Sequence, residues 1–132
     1  MGKSLIYIGT QRPQVLADGD KIDLGIVLRK YGSNIKAEGG NAALVGQGYY
    51  EINSRFDLTA DEAGTAIITL YKDGSPIPSG VAKFTTVADA TFSVCIPAYV
   101  RNYCCGESTV YATLTGVDGT IASTGTTITK VI

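Results

Sequence analysis

The feature that most constrains this chain is a strict alternation beginning at Tyr49. In GQGYYEINSRF and the residues after it, Tyr50, Ile52, Ser54, Phe56 and Leu58 fall on one side of an extended chain. Tyr49, Glu51, Asn53, Arg55 and Asp57 fall on the other. A period of two over this length specifies a half-buried strand, because successive side chains point to opposite faces of a sheet. The same period returns in Ala66, Ile68 and Leu70, in Phe92, Val94 and Ile96, and in Val110, Ala112 and Leu114. Helical periodicity is nearly absent, and DEAG (residues 61–64) reads as a loop between strands. Sixteen glycines among short β-branched runs point to an all-β sandwich or barrel.

Turn chemistry supports this. Asp73-Gly74 follows an apolar run and suits a type I′ hairpin, where both central residues take positive φ. Asp118-Gly119 gives a second turn signal, leading into a Thr- and Ile-rich last strand. IKAEGGNAALV reads as two short strands around Gly39-Gly40-Asn41. At the start, LIYIG is a strand, RPQVLADGD a loop and IDLGIVL a second apolar segment. One compact domain is expected, with residues 1–30 as an N-terminal strand and anchoring segment and 31–132 as the main body. The expected core is Tyr50, Ile52, Phe56, Ile68, Leu70, Phe92, Val94, Val110 and Leu114.

Composition excludes several functions. The 132 residues are 45% hydrophobic and 17% charged, as expected of a folded domain rather than a disordered chain. A net charge of −1 leaves no electrostatic footprint for nucleic acid or an anionic membrane. There is no histidine, hence neither the commonest general base nor the commonest metal ligand. No nucleophile elbow, phosphate loop or dinucleotide-binding turn occurs. Asp61-Glu62, Asp18 and Asp20 read as solvated turn carboxylates. The chain is therefore read as no enzyme, with no cofactor and no metal. Cys95, Cys104 and Cys105 lack metal spacing and are expected to be reduced. No secretory signal or membrane span is visible.

Four residues stand out on the faces opposite the inferred core: Tyr49, Ile67, Tyr71 and Tyr111. Several such side chains on neighbouring strands would make an apolar patch of the kind that contacts another protein. Burying two or three tyrosine rings, at about 150 Å² or more each and about 25 cal/mol per Å², is worth several kcal/mol. A homo-oligomer is expected.

The stretch GQGYYEINSRFDLTADEAGTAIITLYKDGSPIP resembles the tumour necrosis factor and complement globular-head superfamily. It is especially similar to the bacterial branch that includes C-terminal domains of exosporium collagen-like glycoproteins. Gly48-Tyr49-Tyr50, Ala66 to Tyr71, Lys72-Asp73-Gly74 and the terminal strand Thr126 to Ile132 carry the likeness, which covers residues 35 to 132. It implies a ten-strand antiparallel jelly roll assembled as a trimer, with Tyr49 and Tyr111 at the seam and Ile67 and Tyr71 as further candidates. No carboxylate cluster carries over the calcium sites of some members, and no Gly-X-Y stalk is present.

Together these readings lead to an expectation of function. A small trimeric β module without an export signal fits a bacteriophage virion protein, released by lysis. It would be a capsid decoration protein, head fibre or other accessory piece, whose partners are further copies of itself and other virion proteins such as the capsid. The alternative is a glycan- or receptor-binding module, working through loops Asp61 to Gly64, Ser75 to Gly80 and Tyr103 to Glu107.

Overall fold

Alternating β-branched and aromatic residues separated by glycine-containing turns give twelve strands and, among the described residues, no helix. The computed structural model describes residues 4–103 and 106–132. The strands are β1 (Leu5–Thr10), β2 (Gln14–Leu16), β3 (Lys21–Ile22), β4 (Ile26–Tyr31), β5 (Ile35–Glu38) and β6 (Asn41–Val45). They continue with β7 (Gly48–Ala60), β8 (Gly64–Lys72), β9 (Ser75–Thr86), β10 (Thr91–Asn102), β11 (Glu107–Thr115) and β12 (Gly119–Lys130).

Two antiparallel sheets pack face to face as a jelly-roll sandwich. Sheet I has the order β10-β7-β12-β1-β4, with β2 also beside β12. Sheet II has the order β5-β6-β11-β8-β9, with β3 also beside β11. Only β5–β6 and β8–β9 are sequence neighbours paired in one sheet. The connections after β2, β3, β4, β6, β7, β9, β10 and β11 cross between sheets, so most pairing is non-local. The ten expected strands become twelve because β2 forms inside RPQVLADGD, which read as loop, and β3 forms where that stretch meets the apolar segment IDLGIVL.

Residues 4–30 are built into both sheets. β1 lies between β12 and β4, pairing Leu5 with Thr129 and with Tyr31, while β3 pairs with β11. Ile6, Ile8, Leu16, Ile22 and Leu24 all join the core. Of the nine expected core residues, Tyr50, Ile52, Phe56, Ile68, Leu70, Val110 and Leu114 are buried. Phe92 and Val94 face inward but are only half-buried. They lie on β10, an edge strand of sheet I, whose outer flank meets β9 of sheet II, with the Phe84 ring 5.5 Å from that of Phe92, and has no hydrogen-bonded neighbour.

Both ends of the sandwich are closed by polar groups with partners. At the lower end, the Asn102 amide donates to the carbonyls of Gly46 (2.9 Å) and Gly106 (3.2 Å). Ser108 donates to its Oδ1 at 2.6 Å, and the buried Tyr50 hydroxyl donates to Gly46 O at 2.8 Å. Such pairing is what makes buried polar groups tolerable. At the upper end, Asp18 accepts from Gly116 N (2.8 Å) while Asp118 accepts from Asp18 N (2.8 Å).

The two expected Asp-Gly turns differ. Asp73 (φ 51°) and Gly74 (φ 87°) form the β8–β9 hairpin with positive φ at both positions, as a type I′ turn requires. Asp118-Gly119 does not join paired strands, because β11 and β12 belong to different sheets. The left-handed residue of that crossover is Gly116, at φ 94°. A Cβ there would stand 2.0 Å from the Thr65 carbonyl oxygen, so both the conformation and the space demand glycine.

Candidate assembly face

The outer face of sheet I is a series of cross-strand rows. The lowest full row runs Tyr31, Leu5, Thr129, Glu51, Tyr99, and the next runs Arg29, Tyr7, Thr127, Asn53, Pro97. Tyr49 stands beneath them, paired with Arg101. This lower half is tyrosine-rich and open: Leu5 is 38% exposed, Tyr7 41%, Tyr49 46% and Tyr31 69%. It continues onto the edge strand β4, all six residues of which are exposed, including Ile26, Val27 and Leu28.

Higher up, the face changes character. Gly9 and Gly125 pair across β1 and β12 and make a shallow floor beside Arg55 and Cys95. A cleft of about 670 Å³ opens over this floor, walled by Tyr7, Leu28, Arg12 and Arg55. Above it, Asp57 accepts hydrogen bonds from Ser123, from Ser93 (2.7 Å) and from Arg55 (3.2 Å). The hydroxyls of Ser123 and Ser93, with help from the Arg55 guanidinium, hold its carboxyl below the ordinary aspartate range. Ser123 reaches Asp57 because β12 carries a register shift between Ile121 and Ser123. Lower down, Tyr99 donates to Glu51, and this bond raises the Tyr99 phenol above its usual value.

The four residues singled out in the sequence do not share one surface. Tyr49 is on the outer face of sheet I. Ile67, Tyr71 and Tyr111 are on the outer face of sheet II, pointing the opposite way. Tyr71 and Tyr111 stack at 5.1 Å with an interplanar angle of 7°, and the Lys21 ammonium lies 4.8 Å from the Tyr111 ring. Half-buried among threonines, these two rings largely satisfy one another, and Ile67 lies two outward positions further up β8. The four therefore do not form one continuous patch. A sandwich has two outward directions, and a period of two within a strand does not say which one a residue takes.

Sequence reasoning missed Tyr7, Leu5, Tyr31 and Tyr99. The signal for the first two was present, since Leu5-Ile6-Tyr7-Ile8 alternates and the two isoleucines are wholly buried. Cys95 is an exposed thiol on the outer face of sheet I. Cys104 and Cys105 lie outside the described residues. Asp61 and Glu62 are exposed on the upper loop, as expected, and Asp20 accepts from Ala17 N within its own turn. Among the described residues, no three acidic or cysteine side chains gather as a metal site.

No family model matches the chain, and no curated protein matches it. Solved structures do. Murine APRIL superposes with a TM-score of 0.77 at 12% identity, covering 98% of this chain and 99% of the other. The chain has the tumour necrosis factor-like jelly-roll fold. Eiger, a tumour necrosis factor of S. frugiperda, gives a TM-score of 0.68 at 10% identity, covering 100% of this chain and 94% of its own. The PRD1 vertex protein P5 gives 0.63 at 13% identity, covering 100% and 99%. At these identities the likeness is one of fold. The order of both sheets, including β1 and β4 from the opening segment, belongs to the matched region.

Proposed function

We propose that this protein is a non-enzymatic structural component of a bacteriophage particle, working as a homotrimer that decorates the capsid or forms a small spike or fibre. The observation that carries this reading is the outer face of sheet I, where Leu5, Tyr7, Tyr31 and Tyr49 form one exposed apolar field continuous with β4. A surface of that kind on a small domain marks contact with protein. The superposition on the PRD1 vertex protein P5 is in keeping with the particle part of this reading.

Tyr49 keeps its assigned place at the subunit contact in this reading, and Ile67, Tyr71 and Tyr111 do not. The reason is closure. In a three-fold ring the two contact patches of one subunit face outward at about 60° to each other, whereas the two faces of a sandwich point in opposite directions. Stacking through opposite faces gives an open filament. The face of sheet I therefore pairs with an adjoining edge of the next subunit and not with sheet II. Anchoring to a particle by residues 1–30 is carried by exposed positions of folded strands such as Val15 and Ile26, because deleting the segment would remove β1 from the middle of sheet I.

The test has two arms. Light scattering at micromolar concentration is expected to give three times the 13.8 kDa chain mass. Mass spectrometry of purified particles from lysed host cells is expected to recover the protein in fixed ratio to the capsid protein. A monomeric mass overturns the assembly, and absence from washed particles overturns the virion role. A second reading, recognition of a host-surface glycan, is favoured by an aromatic and cationic cleft at the lower end of β10.

A further inference from the structure

The lower end of β10, at the margin of the assembly face beside Tyr49 and Tyr99, holds a cluster of cationic and aromatic side chains. Arg101 is exposed on the last turn of that strand, with its guanidinium carbon 4.5 Å from the Tyr103 ring and 5.6 Å from the Tyr49 ring. The Lys72 ammonium, coming from β8 in the other sheet, lies 6.0 Å from the same Tyr103 ring. Between them opens a cleft of about 420 Å³, lined by Lys72, Asp73, Pro76, Pro78, Arg101 and Tyr103 with the ring of Tyr99 at its side.

Three properties give this cleft a chemical preference. First, among the described residues neither Arg101 nor Lys72 has a carboxylate within 4.0 Å, whereas Lys36 is paired with Glu107 and Arg55 with Asp57. The Asp73 carboxylate also lines the cleft and keeps its charge while accepting from Thr109 N at 2.9 Å, so two cations against one anion leave the cleft net positive. Second, Arg101 is held between two rings, so its fork of donors is oriented before any ligand arrives. Third, Tyr99 and Tyr103 are each 64% exposed, leaving flat apolar ring surface at the mouth. Pro76 and Pro78 stiffen the opposite rim.

A net positive cleft favours an anion such as a carboxylate, and open tyrosine faces select a partner with its own flat, weakly apolar side. A pyranose ring offers such a side in its axial C–H groups, and its hydroxyls suit a polar rim. The volume lies within the range of ordinary ligand clefts, about 300–1,000 Å³. We propose that this cleft is a binding site for an acidic saccharide, with Arg101 and Lys72 taking the sugar carboxylate and Tyr103 stacking on the ring. Copies of the site on a trimer would turn weak single-site binding into retention on a saccharide-coated surface. The proposal rests on the recognition reading and is tested on the isolated protein, so its failure leaves particle placement standing.

The native protein is titrated calorimetrically with trigalacturonate and, in parallel, with the neutral galactose trisaccharide of the same linkage. Trigalacturonate is expected to bind with a Kd of about 0.1–1 mM, and the neutral sugar at least about tenfold more weakly. Arg101→Gln, Lys72→Gln and Tyr103→Leu are each expected to weaken binding by about tenfold, and Lys36→Gln to leave it unchanged. Equal affinity for charged and neutral sugars overturns the proposal, as does indifference to the three cleft substitutions. Displacement of the sugar by inorganic phosphate at equal concentration would make the site one for anions in general and also overturn it. No binding by the native protein, with a fall in assembled mass on Arg101→Gln, would assign the cleft to a subunit contact instead. The charged-against-neutral comparison needs no variant, so a substitution that fails to fold does not spare the proposal.

Discussion

Replacing Tyr7 by aspartate tests the assembly face where it is best defined. Tyr7 sits at the centre of the lower half of sheet I, paired with Arg29 on one side and Thr127 on the other, and 41% of it is exposed. A tyrosine buries about 150–250 Å² when fully covered, so about 60–100 Å² of this ring remains for a neighbour. At about 25 cal/mol per Å² that area is worth about 1.5–2.5 kcal/mol per subunit contact. Three contacts close the ring, so the assembly loses about 5–7 kcal/mol from lost burial alone. With about 1.4 kcal/mol per factor of ten, the trimerisation constant falls by about four orders of magnitude. A carboxylate held against the neighbouring subunit adds its desolvation cost in the same direction.

Within one subunit the same change costs little. The side chain points away from the core, and strand propensity differences span only about 1 kcal/mol. Thermal unfolding of the isolated chain should therefore shift by a few degrees at most, while light scattering at micromolar concentration drops from the trimeric to the monomeric mass. Tyr111→Asp is the matched comparison on sheet II. It breaks the stack with Tyr71, costing the fold about 0.5–1.5 kcal/mol, and should leave the assembled mass unchanged. If Tyr7→Asp retains the native mass while Tyr111→Asp dissociates the protein, the contact lies on sheet II and the reasoning from exposed area is refuted.

Three other perturbations probe the fold that positions this face. Phe56→Ala removes a wholly buried ring between the sheets and should lower unfolding free energy by about 3–5 kcal/mol in a urea titration, a loss under about 1 kcal/mol contradicting the packing. Gly116→Ala forces a left-handed φ of 94° and a clash with Thr65 O, and should cost about 1–3 kcal/mol by the same titration. Asp57 has a carboxyl held below its ordinary value in the folded state, so its contribution is present above the unfolded pKa of about 3.9 and fades as pH falls through the folded one. Asp57→Asn should therefore flatten the stability curve below about pH 4, and an unchanged acid limb would show that other carboxylates set it.

Much of the fold was legible because alternation is a local property. Tyr50 to Leu58, Ala66 to Leu70 and Val110 to Leu114 each announced their inward side, and those positions are buried. The hairpin at Asp73-Gly74 was legible for a similar reason, since both residues tolerate positive φ and their flanking strands pair. Asp118-Gly119 carried the same dipeptide and a different outcome. What distinguishes the two is whether the flanking strands share a sheet, and β11 and β12 do not. The short strands β2 and β3 were hidden because three and two residues are too few to show a period.

The candidate assembly face was half-legible, and the missing half has one physical origin. Each of Tyr49, Ile67, Tyr71 and Tyr111 was rightly placed away from the core, yet outward means one direction on sheet I and the opposite direction on sheet II. Deciding between them requires knowing that β7 pairs with β10 and β12 while β8 pairs with β9 and β11, and these are mostly pairings between strands distant in sequence. Once the sheets are assigned, the tyrosines separate by environment as well as by direction. Tyr71 and Tyr111 face each other across adjacent strands and cover one another, which leaves little free surface for a partner. Tyr7, Tyr31 and Tyr49 stand in rows with Leu5, Thr129 and the long flank of β4, with no comparable ring stacked against them, and their open area is what a neighbouring subunit can still bury. The residue types alone would have ranked the two sets equally; the crossovers between sheets make one set a closed pair and the other an unfinished surface.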